Sequence, residues 1–179
     1  NGLGGYNRVT NITLVCQTIN GYVLSPGETF SYNNCLGKRT TAKGYLSAGA
    51  YSSGLEVQQI GGGICQGSST LYYCVLLSNL KVVERSNHMF SVAYLPLGMD
   101  ATVDWGNVDF KFKNDKEYPI KLVAFVEEKK LTVEIWGTKT DENTIELKSV
   151  CTGVFDYEAV EELDETKKPG ENEVSVTGH

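Results

Sequence analysis

Three consecutive glycines, Gly61-Gly62-Gly63, run into Ile64-Cys65-Gln66-Gly67 and Ser68-Ser69-Thr70, after which Leu71 to Leu80 contains neither glycine nor proline. No other stretch constrains the fold as tightly: it spells a loop, a capped turn and a helix. Leu71, Val75, Leu76 and Leu80 can share one helical face, and the run is apolar enough to be buried on most sides. At about ten residues it falls well short of the ~20 that cross a bilayer, so no membrane span is expected. An earlier helix is expected over residues 8 to 20, where Val9, Ile12, Val15, Cys16 and Ile19 recur at helical spacing, with Thr10 or Asn11 as cap and Gly21 as stop. Ser25-Pro26-Gly27-Glu28 reads as a turn, and residues 33 to 63 as loop with short strands. After Leu80 the sequence becomes β-rich, at Val82 to Arg85, Phe90 to Tyr94, Ala101 to Trp105, Phe110 to Phe112, Ile120 to Val126 and Leu131 to Trp136. The last two flank Glu127-Glu128-Lys129-Lys130 and read as a hairpin. The expected class is α+β: a buried helix carrying an N-terminal cysteine, packed on an antiparallel β-sheet.

The chain has 179 residues, 41% hydrophobic and 21% charged, enough for one ordinary domain and a remnant of another. Its 16 Lys and Arg stand against 22 Asp and Glu, for a net charge of −6. With no basic run to track a phosphate backbone, nucleic acid is excluded as an expected partner. Seven of the acids, Glu158, Glu161, Glu162, Asp164, Glu165, Glu171 and Glu173, lie beyond residue 156. With Lys-Lys-Pro-Gly at 167 to 170, this marks a boundary. A body of residues 1–138 is expected, followed at 139–179 by a linker and the start of a downstream module. The opening Asn-Gly-Leu has neither an initiator Met nor a signal segment, as expected of a piece excised from a longer protein.

The five cysteines, Cys16, Cys35, Cys65, Cys74 and Cys151, form no CxxC and no Cys/His pair at zinc-ligand spacing. Neither a metal site nor any cofactor is expected, and the disulfide state is left open. Cys65 alone sits in a helix's first turn, where unpaired N–H groups and the helix dipole stabilise a thiolate. The glycines before it would leave room for a substrate backbone. Gly62, Gly63, Gln66 and Ser68, with the Cys65 N–H, are the candidates for binding substrate or an oxyanion. The same pattern also suits a tight turn in which a small cysteine fills a gap in the core.

A cysteine nucleophile needs a base, and His88 is the one imidazole in the body, His179 being terminal. It is expected beside Cys65. If Phe90 to Tyr94 pairs with Ala101 to Trp105 about Pro96-Leu97-Gly98-Met99, Leu95 faces Asp100 and His88 faces Asn107. That register puts Asp100 at the far end and nominates Asp104, Asn107 or Asp109 to orient the imidazole.

Six segments, NRVTNI at 7 to 12, INGYVLSPGETFSYN at 19 to 33, GGGICQ at 61 to 66, SSTLYY at 68 to 73, ERSNH at 84 to 88 and YLPLGMDATVDWGNVDFKFKN at 94 to 114, resemble the VanW domain in order and spacing. The resemblance covers about residues 7 to 138 and departs at Gly67, where a small aliphatic residue is usual. The tail DETKKPGENEVSV looks like the start of an extracellular β-domain that often follows VanW domains. The resemblance implies a bacterial, extracellular, cell-wall-associated protein linked to glycopeptide resistance. It further implies a cysteine L,D-transpeptidase acting on peptidoglycan stem peptides and joining two diaminopimelate residues, with Cys65 as nucleophile and His88 as base. A cysteine peptidase or amidase would share the first half-reaction. A non-catalytic module would instead dock stem peptides or a partner on the glycine loop and Tyr45, Tyr51, Tyr72 and Tyr73.

Overall fold

A computed structural model describes residues 5–52 and 55–154, together with Glu165, Thr166 and Lys168. Most of the acidic segment lies outside the described residues. Helix α1 (Tyr6–Ile19) buries Ile12, Val15, Cys16 and Ile19, the stripe expected of its spacing. It begins earlier than its apolar pattern, because Gly5 is the N-cap and its carbonyl accepts the Val9 N–H. Asn11 is therefore no cap. It is fully buried, and its amide donates to the carbonyls of Leu46 and Gly62 while its oxygen accepts from the Leu46 N–H. This one side chain fixes α1 to the glycine loop ahead of Cys65.

After strands β1 (Val23–Leu24) and β2 (Thr29–Ser31) comes a short helix, α2 (Tyr32–Leu36), which the sequence reading treats as loop. The Ser31 hydroxyl caps it by accepting from the Asn34 N–H. Strands β3 (Ser47–Ser52) and β4 (Leu55–Ile60) form a hairpin of their own, and helix α3 (Ile64–Leu77) follows the glycines. Then come β5 (Lys81–Glu84), β6 (Lys111–Lys113), β7 (Ile120–Glu127) and β8 (Lys130–Gly137). The protein is α+β, with every strand pair antiparallel, but the strands divide into three small sheets, β1-β7-β8, β2-β6-β5 and β3-β4. The hairpin expected about Glu127-Glu128-Lys129-Lys130 is the pair β7–β8.

Helices α1 and α3 pack against each other, α1 also against β7 and α3 against β8. Between them lies a core of Ile12, Val15, Leu71, Val75 and Leu122, continued by Phe30, Phe110 and Phe112, with Tyr72 edge-on to Phe110. α3 is thus buried along Leu71, Tyr72 and Val75, while Leu77 near its end is 43% exposed. Gly67 has no room for a side chain: a Cβ there would stand 2.6 Å from the Tyr32 hydroxyl and 3.0 Å from Val15. Tyr45 and Tyr72 are buried in the core, which removes them from any docking surface.

The region between β5 and β6 departs most from expectation. Neither Phe90 to Tyr94 nor Ala101 to Trp105 is a strand. The turn at Pro96–Met99 does form, closed by the Met99 N–H on the Pro96 carbonyl. Its flanks do not zip together. Pairing instead begins at Ser86 opposite Thr102, held by the Thr102 N–H on the Ser86 carbonyl. Counting inward from that pair brings His88 opposite Asp100. No described helix is long and apolar enough to cross a membrane.

Candidate active site

Cys65 is the second residue of α3, and Gly63, the N-cap, takes φ +98°, a left-handed conformation that glycine adopts without strain. Ile64 N–H reaches the Gly61 carbonyl and Gln66 N–H the Gly63 carbonyl. The Cys65 N–H finds no acceptor among the described residues, which leaves it free to meet a developing oxyanion. The room that the glycines provide is filled by the protein itself. A Cβ on Gly62 would collide with the Ala48 carbonyl of β3, and one on Gly63 would stand 2.7 Å from Arg8 Cγ. Gly62→Ala should therefore push β3 off the loop, lowering stability by about 1–3 kcal/mol, as a thermal melt would read.

Ser68 and Ser69, one turn into α3, are wholly buried. Ser68 donates to the Ala101 carbonyl at 2.7 Å, and Ser69 both donates to that carbonyl and accepts from the Ala101 N–H. Ser68 is thus part of a clamp that holds residues 100 to 103 along α3 rather than a group facing substrate. The clamp sets Val103 and Thr102 against Cys65, whose Sγ lies 3.4 Å from the Val103 carbonyl and 3.7 Å from the Thr102 hydroxyl.

It also delivers Asp100 to His88. Asp100 Oδ2 accepts from His88 Nδ1 at 2.6 Å and from the His88 backbone N–H at 2.7 Å. Oδ1 accepts from Arg85 Nη2 at 3.1 Å, and Arg85 in turn lies over the Tyr72 ring. With Nδ1 held by Asp100, Nε2 is the ring nitrogen left to face Cys65, and the imidazole is near enough to shift the thiol. The orienting carboxylate is Asp100, the acid that the expected hairpin register sends away. Asp104 and Asn107 lie instead in an exposed turn where they bond each other. Asp109 is buried at the start of α2, accepting from the Ser31 hydroxyl at 2.6 Å and the Asn33 N–H at 2.9 Å. Those bonds occupy it structurally.

Burial raises the Cys65 thiol, but hydrogen bonds from His88, the Val103 backbone and Thr102, with the His88 charge, bring it below its ordinary value. His88 moves the other way: burial lowers it, and the bonds and charges of Cys65 and Asp100 raise it on balance. A low thiol and a high imidazole favour thiolate and imidazolium together. The pH midpoint of iodoacetamide alkylation should therefore lie below that of an ordinary thiol. In His88→Ala only the Val103 and Thr102 bonds are left to oppose burial, so the midpoint should move up in pH. Burial raises Asp100, but the His88 bonds and the charges of His88 and Arg85 leave it depressed overall. Its contribution to stability is therefore present above about pH 4 and lost as pH falls through the depressed value.

Three neighbours of this centre escape the sequence reading in their roles. Tyr94, assigned there to a strand, lies beside this centre, where burial pushes its hydroxyl above its ordinary value. Arg8 donates from Nη2 to Gln66 Oε1 at 3.0 Å. Gln66 is only 1% exposed. The apolar spacing of NRVTNI gives no hint that Arg8 reaches across to the residue after Cys65.

A sequence model of the family described as "VanW like protein" matches residues 7–136. The chain belongs to the VanW family. Two curated relatives are similar to this VanW domain. One is the "Uncharacterized protein YoaR" of Bacillus subtilis (strain 168), 46% identical over 118 residues, which cover 66% of this chain and 39% of that protein. The other is the "Vancomycin B-type resistance protein VanW" of Enterococcus faecalis (strain ATCC 700802 / V583), 26% identical over 177 residues, covering 92% and 64%. The chain thus spans less than two thirds of the length of either relative. No significant match exists among solved structures. Cys65, His88 and Asp100 all fall within the family match, and each of the chain's five cysteines stands free of disulfides.

Proposed function

We propose that this VanW domain is a cysteine acyltransferase of the bacterial cell surface, an L,D-transpeptidase acting on peptidoglycan stem peptides. The observation that supports it is the Cys65–His88–Asp100 relay at the N-terminus of α3, with the unpaired Cys65 N–H beside it. In the first half-reaction Cys65 thiolate attacks the carbonyl of the third stem residue. The tetrahedral oxyanion is met by the Cys65 N–H. His88 Nε2–H protonates the amine of the departing D-Ala as the C–N bond breaks, leaving a thioester on Cys65. In the second, the neutral side-chain amine of diaminopimelate on another stem attacks the thioester, neutral His88 takes the proton that the attacking nitrogen sheds, and the thiolate leaves. Asp100 holds the imidazole in one tautomer through both steps and stabilises the imidazolium.

The relatedness to a vancomycin resistance protein supports a cell-wall setting, on which this substrate assignment rests. Incubation of the domain with tetrapeptide-bearing muropeptides tests it directly by mass spectrometry. Cross-linked dimers with release of D-Ala are the expected products. Trimmed monomers alone would replace transfer by hydrolysis, and unchanged substrate would overturn the enzymatic reading.

A further inference from the structure

Beside the relay lies a basic group that the acyl-transfer chemistry does not use. Arg8 rises from the first turns of α1, packs its stem against Gly63, and aims its guanidinium at Gln66, the residue after the nucleophile. Nε and Nη2 both donate to Gln66 Oε1, at 3.4 and 3.0 Å, and Nη1 only reaches the Gly49 carbonyl at 3.5 Å. Among the described residues no carboxylate pairs with Arg8, whereas the other arginine of the centre, Arg85, is paired with Asp100. Gln66 is 1% exposed, and with its oxygen held by Arg8 its amide Nε2 has no acceptor. A buried amide donor without a partner is costly unless something else supplies the acceptor.

The two groups together offer a planar cationic fork and an unfilled N–H, the donor set that matches a carboxylate. We propose that Arg8 and Gln66 form a carboxylate-binding subsite next to Cys65, which recognises an acyl donor by a carboxylate within one residue of the scissile amide. This rests on the acyltransferase reading and adds to it the feature that selects the donor. Two carboxylates of a stem peptide meet the description: the terminal carboxylate of the leaving D-Ala and the side-chain carboxylate of diaminopimelate.

The test needs no turnover. Iodoacetate and iodoacetamide alkylate the same thiolate and differ in one negative charge, so the ratio of their rates on Cys65 reports a cation at the site and cancels general changes in thiol reactivity. The ratio should fall about tenfold in Arg8→Gln and be largely retained in Arg8→Lys, the effect of losing one charge-assisted hydrogen bond. An unchanged ratio in Arg8→Gln would overturn the subsite. In the wild-type protein, where folding is not at issue, N-acetyl-D-alanine should protect Cys65 from iodoacetamide better than N-acetyl-D-alaninamide does if the leaving D-Ala carboxylate is read, and equal protection would rule that carboxylate out. Donor tetrapeptides amidated at either carboxylate then decide which one is read: the amide that abolishes the wild-type preference, and is indifferent to Arg8→Gln, marks the recognised group. If the ratio depends on Arg8 but no donor is processed, the subsite stands and the transpeptidase reading falls. If donors are processed and neither ratio nor preference depends on Arg8, the reverse holds.

Discussion

Cys65→Ala should abolish acyl transfer, by a factor on the order of 10⁴ or more, while the thermal melt stays close to wild type. Removing one sulfur from a half-buried position takes away the atom that carries the acyl group in the proposed mechanism and leaves the clamp of Ser68 and Ser69 intact. The other four thiols are poor substitutes. Burial raises Cys16 to about 12 and also pushes Cys35 and Cys74 above their ordinary value. Cys151 is exposed, outside the family match at 7–136. Alanine at any of these four should leave transfer unchanged, and iodoacetamide should label Cys65 first at neutral pH. Intact-mass measurement of the acyl-enzyme reads both. A Cys65→Ala protein that still cross-linked muropeptides would move the chemistry to another group.

Asp100→Asn should cost about 10²–10⁴-fold in kcat with little change in KM. The amide keeps the shape of the carboxylate, but it has one acceptor oxygen where the carboxylate has two. Asp100 uses both, Oδ2 on His88 and Oδ1 on Arg85. If the amide oxygen turns to Arg85, its NH₂ faces Nδ1 and favours the tautomer with the proton on Nε2, the nitrogen that must accept one. If it turns to His88, the NH₂ is set against the guanidinium. The charge that raises His88 is lost either way, so the thiolate–imidazolium pair weakens and the iodoacetamide midpoint should move up in pH. Asp104→Asn, Asn107→Ala and Asp109→Asn should separate cleanly from it. The first two lie in an exposed turn and should leave activity near wild type, whereas Asp109→Asn should lower stability through the Ser31 and Asn33 bonds that start α2. Steady-state kinetics with the four variants, each checked by a melt, distinguishes orientation of the base from loss of structure.

Helix α2 shows a limit of pattern reading. With only five residues, Tyr32–Leu36, it carries too little periodicity to register, and it forms because Ser31 caps it and Asp109 arrives from elsewhere in the chain. The glycine loop stands just ahead of α3, where its local pattern predicts it. Gly62 is required by the close approach of β3, a contact between segments that no local pattern announces.

What the sequence determined by itself was local. The apolar spacing of α1, the hairpin β7–β8 and the start of α3 at the glycines each depend on interactions within a few residues, and the position of Cys65 on its helix follows from them. His88 is the one imidazole in the body of the chain, which is legible without a structure. Tertiary structure decided which acid stands behind that imidazole. A short turn fixes strand register, but the segment 89–99 is too long to do so, and the Pro96–Met99 turn within it forms without pairing its flanks. Register was set from outside, by Ser68 and Ser69 of α3 gripping Ala101 and by Ser86 meeting Thr102, and those contacts turned Asp100 toward His88. Long-range hydrogen bonds outweighed the local turn because they satisfy buried polar groups that would otherwise be stranded, which is why the third member of the relay could not be read from the chain alone.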